Sequence, residues 1–251
     1  MRDLRIFISG CSGVGKTTLC KAMSEVLGIT YLNTSASNLW PKYGIQSHAD
    51  ALKLPPPDAL RYQRDVHDTR VNELRKYDGP LITDRGVMDQ LIYLSDYNID
   101  PRDRDVLISE IMADFIQDLI NYNCVFIKVL RPFDWVTEEN GKRIKDEFYQ
   151  IQSNMKYAGF DFRMFMDKQY LKHYYQISET GSPLVYLKKI GDMIKEDRPP
   201  IFLGGMYTKV LDRRILGVLQ ILSNSGILDT DGFNTLYEKV KNKKYDPKKY
   251  I

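Results

Sequence analysis

Fifteen residues near the N-terminus, Arg5 to Leu19, read R-I-F-I-S-G-C-S-G-V-G-K-T-T-L and constrain this chain more than any other stretch. Arg5 to Ser9 is a short apolar run with β-branched residues, the profile of a buried strand. Gly10 to Thr17 then fits G-x-x-x-x-G-K followed by Ser or Thr, and an amphipathic helix begins at once. Gly10, Gly13 and Gly15 open conformations closed to residues with a Cβ, so successive N–H groups can converge on an anion. The helix starting near Lys16 aims the positive end of its dipole at the same point. Lys16 can place an ammonium on β- and γ-phosphates, and the Thr17 hydroxyl can hold Mg²⁺. The rival is an ordinary glycine turn. The Lys-Thr pair in register favours a site for a nucleoside triphosphate.

The rest of the pattern says what surrounds that loop. Ile29 to Asn33, Pro80 to Thr83, Cys124 to Leu130 and Tyr174 to Ser178 read as further short strands. Helical periodicity separates them over Lys16 to Leu27, Asp58 (as N-cap) to Tyr77, Val87 to Leu94, Pro101 to Tyr122, Glu138 to Met155 and Pro183 to Ile194. Strands alternating with helices predict an α/β fold, a parallel sheet with helices on both faces. In such sheets ligands collect at the carboxyl ends of the strands, where Gly10, Asp84 and Arg131 all fall. Thr34 to Pro57, with Trp40, Tyr43 and three consecutive prolines, is long enough to be a binding loop. Arg198-Pro199-Pro200 reads as a seam. The expected division is a core over 1–197, with a lid near 136–157, and a helical C-terminal extension over 198–251, with helices at Tyr207 to Ser223 and Asp231 to Lys241.

At 251 residues the chain can bury a full core. A net charge of +3 is too small to require nucleic acid or a membrane. Cys11, Cys20 and Cys124 lack metal-ligand spacing and suit a reducing compartment. With no signal-like segment and no stretch able to span a bilayer, the expectation is a cytoplasmic protein with no membrane partner.

Asp84 ends a strand, where a ligand for Mg²⁺ or its water shell belongs, although strand-ending Asp is also a common helix cap. Arg85 is placed to grip a phosphate or to sit in a surface ion pair. Ahead of a charged helix, E-E-N-G-K-R offers Arg143, with Lys142 and Arg131 behind it, as a cation brought down on closure. Arg61, Arg64 and Arg70 on the middle helix, with Trp40 and Tyr43 on the long loop, form an aromatic and arginine grouping able to receive a base and a phosphate. His48, His67 and His173 are isolated and read as structural. The second strand ends in N-T-S-A-S without an acid, so no proton acceptor is evident; Asp50, Asp58 and Asp84 stay open.

Together G-C-S-G-V-G-K-T-T, T-D-R-G-V-M-D-Q-L-I-Y-L and E-E-N-G-K-R resemble the phosphate-loop kinases of nucleosides and nucleotides, nearest the nicotinamide-riboside-kinase-like and phage AAA-type group. The resemblance covers about Met1 to Lys195. It implies a P-loop NTPase fold with five parallel strands and a lid, and transfer of a phosphoryl group from ATP with Mg²⁺. By position it implies ATP binding by Gly10, Cys11, Ser12, Gly13, Val14, Gly15, Lys16, Thr17 and Thr18. Asp84 and Arg85 would lie between metal and acceptor, and Arg143 in the lid. The acceptor would be a nucleoside, a nucleotide or a modified base. The basic tail motivates a version in which that base, such as hydroxymethyluracil, lies within DNA. A packing appendage is the rival reading of the tail. An ATPase or GTPase switch without an acceptor, or a nucleotide-sensing DNA-binding protein, are the other classes.

Overall fold

A run that stays apolar at every position, rather than alternating, belongs in a strand covered on both faces. β1 (Leu4–Ser9) is such a strand, buried throughout. The computed structural model describes residues 3–130, 147–159, 174–178 and 211–250. In it β1 lies at the centre of a five-stranded sheet of order β2-β3-β1-β4-β5, with β2 (Thr30–Leu32), β3 (Leu81–Thr83), β4 (Asn123–Leu130) and β5 (Tyr174–Ser178). Every neighbouring pair is parallel; Ile6 stands opposite Ile82 on one side and Val125 on the other.

Side chains alternate across β1. Phe7 stacks on Phe126, which meets Phe115 of α5 (Pro101–Asn121), and Ser9 reaches α4 (Val87–Leu94). Leu4, Ile6 and Ile8 therefore face the other way, and they too are fully buried. α1 (Lys16–Leu27) packs on β1, β2 and β3, while α3 (Pro56–Lys76) joins α4 and α5. The one charge inside β1, Arg5, lies at the strand's start. Its guanidinium donates to the carbonyls of Tyr77 and Gly79 and lies over the Tyr122 ring.

The expected helix of Asp58 begins earlier. Pro56 occupies the first turn after Pro55, where a missing N–H has no cost, and Asp58 becomes a first-turn acid instead of the cap. The long connection after β2 is ordered as a 3₁₀ stretch (Ala36–Tyr43) and a single turn, α2 (His48–Ala51), closed by a Ser47–Asp50 capping box. α6 (Glu147–Gly159) overlaps the charged helix expected from Glu138, whose first part lies outside the described residues, as do Pro183 to Ile194 and the seam at 198–200.

The C-terminal helices α7 (Leu211–Asn224) and α8 (Thr230–Lys241) pack on α1. α8 begins one residue before the expected Asp231, and Asp229 caps it by accepting from the Gly232 amide at 2.7 Å. The basic end of the tail folds back: Lys243, Lys249 and Tyr250 all donate to the Glu25 carboxylate of α1. The three cysteines are buried and unbridged. Among the described residues no helix is long and apolar enough to cross a membrane.

Candidate nucleotide and acceptor site

The loop between β1 and α1 is shaped by its glycines. Gly10 has φ +152°, and a Cβ there would lie 2.3 Å from the Val129 carbonyl oxygen, so no other residue fits where the chain leaves the sheet. Gly13 and Gly15 take φ +84° and +83°, the left-handed region in which neighbouring amides turn to a common side. Of the nine residues expected to hold the nucleotide, Ser12, Gly13, Gly15, Lys16, Thr17 and Thr18 line a cavity of about 310 Å³. Cys11 and Val14 instead anchor the loop in the core with buried side chains.

Lys16 is 6% exposed, and its Nζ donates to the carbonyls of Gly10 at 2.7 Å and Cys11 at 2.8 Å. Burial, and then the nearby Arg85 guanidinium, pull its pKa from 10.5 to about 8. A cation held this way on neutral carbonyls is primed for an anion. Beside it the Thr17 hydroxyl donates to Asp84 Oδ2 at 2.5 Å, while Asp84 Oδ1 is buried with no partner among the described residues.

A hydroxyl and a carboxylate with an uncommitted oxygen form a hard donor pair of the type Mg²⁺ takes, with its remaining ligands from phosphate and water. Among the described residues there is no cluster of three or more His, Cys, Asp or Glu able to hold a metal ion. The residues present thus fit Mg²⁺.

Arg85 points into the cavity, 3.6 Å from Asp89 and over the Tyr93 ring. Asp89 is fixed by Ser9 Oγ at 2.8 Å, the Gly86 amide at 2.9 Å and the Tyr157 hydroxyl at 2.5 Å. Sequence reasoning passed over Asp89 and Tyr157. The only local signal was the four-residue spacing from Arg85, since Tyr157 comes from a distant helix.

Away from the loop, the same cavity is walled by Trp40, Tyr62, Gln63, Arg70, Gln90 and Tyr97. Trp40 Nε1 donates to Tyr62 Oη at 3.1 Å. The arginine that α3 turns inward is Arg70, neither Arg61 nor Arg64. Positions 63, 66 and 70 share the inner face of α3, and 61 and 64 fall out of phase with it. Arg61 is exposed and paired with Asp58, Arg64 with Glu110 at 3.3 Å. Tyr43 also leaves the cavity and donates to Asp65 at 2.6 Å. Arg70, 3% exposed, donates to Gly86 O, Gln90 Oε1 and Thr34 O, all neutral acceptors. His48 lines the cavity, and burial, then Arg85, lower its pKa to about 4, so it is neutral at physiological pH. His67 pairs with Asp114 at 2.9 Å. Arg143, Lys142, Arg131 and His173 lie outside the described residues.

Loop, helix dipole, buried lysine and Thr-Asp pair, set at the carboxyl end of a central parallel strand, define a P-loop nucleotide-binding protein of α/β fold. The chain belongs to the AAA domain family, whose model matches residues 5–158, more than half of it. No functionally curated protein matches the sequence.

Among solved structures, NadR in complex with NR is similar at a TM-score of 0.53 and 13% identity, over 72% of this chain and 47% of that one. The chain thus spans about half the length of that relative, and the likeness is one of fold. NadR in complex with NAD and AMP-PNP (TM-score 0.46, 14% identity, 72% and 45% covered) is also similar. So is shikimate kinase from Acinetobacter baumannii in complex with shikimate (TM-score 0.42, 15%, 78% and 96%).

Proposed function

We propose that this chain is an ATP- and Mg²⁺-dependent kinase that moves the γ-phosphoryl group to a nucleoside, a nucleotide or a modified nucleobase. The observation that carries the reading is one continuous cavity. It is lined both by phosphate-loop residues with Lys16 and by the aromatic, amide and arginine side chains of Trp40, Tyr62, Gln63, Gln90 and Arg70. A site built only to hydrolyse a nucleotide has no use for the second set.

In this reading the loop amides and Lys16 hold the β- and γ-phosphates, and Thr17 and Asp84 hold Mg²⁺, which supplies charge neutralisation when bound. Trp40 and Tyr62 offer flat faces for a base, Gln63 and Gln90 offer amides for its edge, and Arg70 and Arg85 supply positive charge near the acceptor. The acceptor oxygen bonds to the γ-phosphorus as the bond from that phosphorus to the β,γ-bridging oxygen breaks, leaving ADP. A hydroxyl acceptor sheds its proton to a carboxylate or to water. Of the three carboxylates weighed from sequence, Asp50 is tied into its capping box and Asp58 to Arg61, and Asp84 alone lines the cavity. Arg143 remains the proposed lid cation.

The test is turnover of labelled ATP across nucleosides, nucleoside monophosphates and hydroxymethylated DNA, with Lys16→Ala as the control. Acceptor-dependent label transfer that disappears in Lys16→Ala is the expected result. Label on the polymer alone would move the acceptor into DNA. ATP consumption equal with and without every acceptor would replace the kinase with a hydrolytic switch.

A further inference from the structure

A side chain of the C-terminal helices reaches the phosphate loop. Arg214, in the first turn of α7, is 7% exposed, and its Nη1 donates to the Val14 carbonyl at 2.5 Å. A Cβ built on Gly15 would lie 3.0 Å from that same nitrogen. The guanidinium therefore lies directly against the Val14–Gly15 peptide, where the left-handed φ of +83° already favours glycine.

A peptide unit is planar, and in its trans form the C=O and the following N–H point in opposite directions. With the Val14 carbonyl drawn toward α7, the Gly15 N–H is directed away from it, and Gly15, Lys16 and Thr17 line the cavity. Glycines at positions 10, 13 and 15 accept φ of either sign, so the loop's own backbone does not fix this peptide. Rotation of this peptide would present a carbonyl oxygen, carrying negative partial charge, where an anion is to bind.

We propose that Arg214 is a positioning residue of the nucleotide site. By holding the Val14 carbonyl it fixes the Gly15 amide as a donor to the β- and γ-phosphates of a nucleoside di- or triphosphate. The C-terminal helices, which lie beyond the family-matched residues 5–158, are then part of the nucleotide site. The inference rests on the nucleotide half of the proposed function and is independent of the acceptor.

The test is calorimetric titration of the full chain with Mg·ADP and with inorganic tripolyphosphate, which offers phosphates and no base. Arg214→Met keeps the aliphatic stem and removes the donors. It should bind both ligands about tenfold more weakly, the loss of one hydrogen bond from a charged donor. Arg214→Lys keeps the charge but not the planar fork, and should stay at least threefold weaker than wild type. A smaller change in the lysine variant would show that charge at a distance suffices, and would overturn positioning. So would an Arg214→Met protein that melts at lower temperature yet binds tripolyphosphate as wild type does. Should Arg214→Met fail to fold, the lysine variant decides by the same threshold. Wild-type protein that binds neither ligand would instead remove the phosphate-loop reading itself.

Discussion

Binding of a triphosphate should draw a proton onto Lys16. In the ligand-free protein burial and then Arg85 hold that lysine at about 8 instead of 10.5, a preference for the neutral amine of about 3 kcal/mol. Because the folded chain binds this proton more weakly than the unfolded chain, charged Lys16 costs stability at every pH below about 8. The cost fades as pH rises toward 10.5.

A bound β,γ-phosphate supplies the missing counter-charge and returns the lysine to its ordinary range. At pH 8 about half of the ligand-free molecules lack the proton, so binding of Mg·AMP-PNP should take up ~0.5 proton per nucleotide, and under ~0.1 at pH 6.5. The apparent Kd should rise about twofold at pH 8 and about tenfold at pH 9 relative to neutral pH. Calorimetry in HEPES and in Tris, which differ in ionisation enthalpy, reads the uptake directly. Equal enthalpies in the two buffers at pH 8 would refute the reasoning, as would an unchanged uptake in Lys16→Met.

Gly10→Ala would drive a methyl group to 2.3 Å from the Val129 carbonyl at a backbone φ of +152°. A loss of about 2–4 kcal/mol is expected in urea denaturation, and an unchanged midpoint would contradict it. Glu25 is held down at about 2 by Lys243 first, then Lys249 and Tyr250. Its contribution is full above the ordinary 4.5 and is lost as pH falls through about 2. Glu25→Gln should speed proteolytic clipping of the C-terminal turn at neutral pH; equal clipping rates would argue against the anchor. With the acceptor found by the panel above, Arg61→Ala and Arg64→Ala should leave its KM within about twofold, whereas Trp40→Ala should raise it about tenfold. The reverse ranking would return the exposed arginines to the site.

The order of strands and helices among the described residues, and the loop with its lysine, were readable because their signals are local. Spacing of apolar residues sets an element, and glycines at fixed offsets set a turn. Gly10 to Thr17 carries its own geometry in eight consecutive residues, and Asp84 is marked by ending a strand. The phase of α3 was not readable in the same way. Arg61, Arg64 and Arg70 look alike in a charged amphipathic helix, and only its packing against α4 and α5 decides which one faces the cavity.

The buried acid Asp89 gathers donors from β1, from the residue capping its own helix and from α6. Arg214 meets Val14 across most of the length of the chain. The reason is physical: a periodic pattern reports which face of an element is apolar. Which polar groups meet inside is decided by how those faces dock, and by the need of each buried donor and acceptor to find a partner.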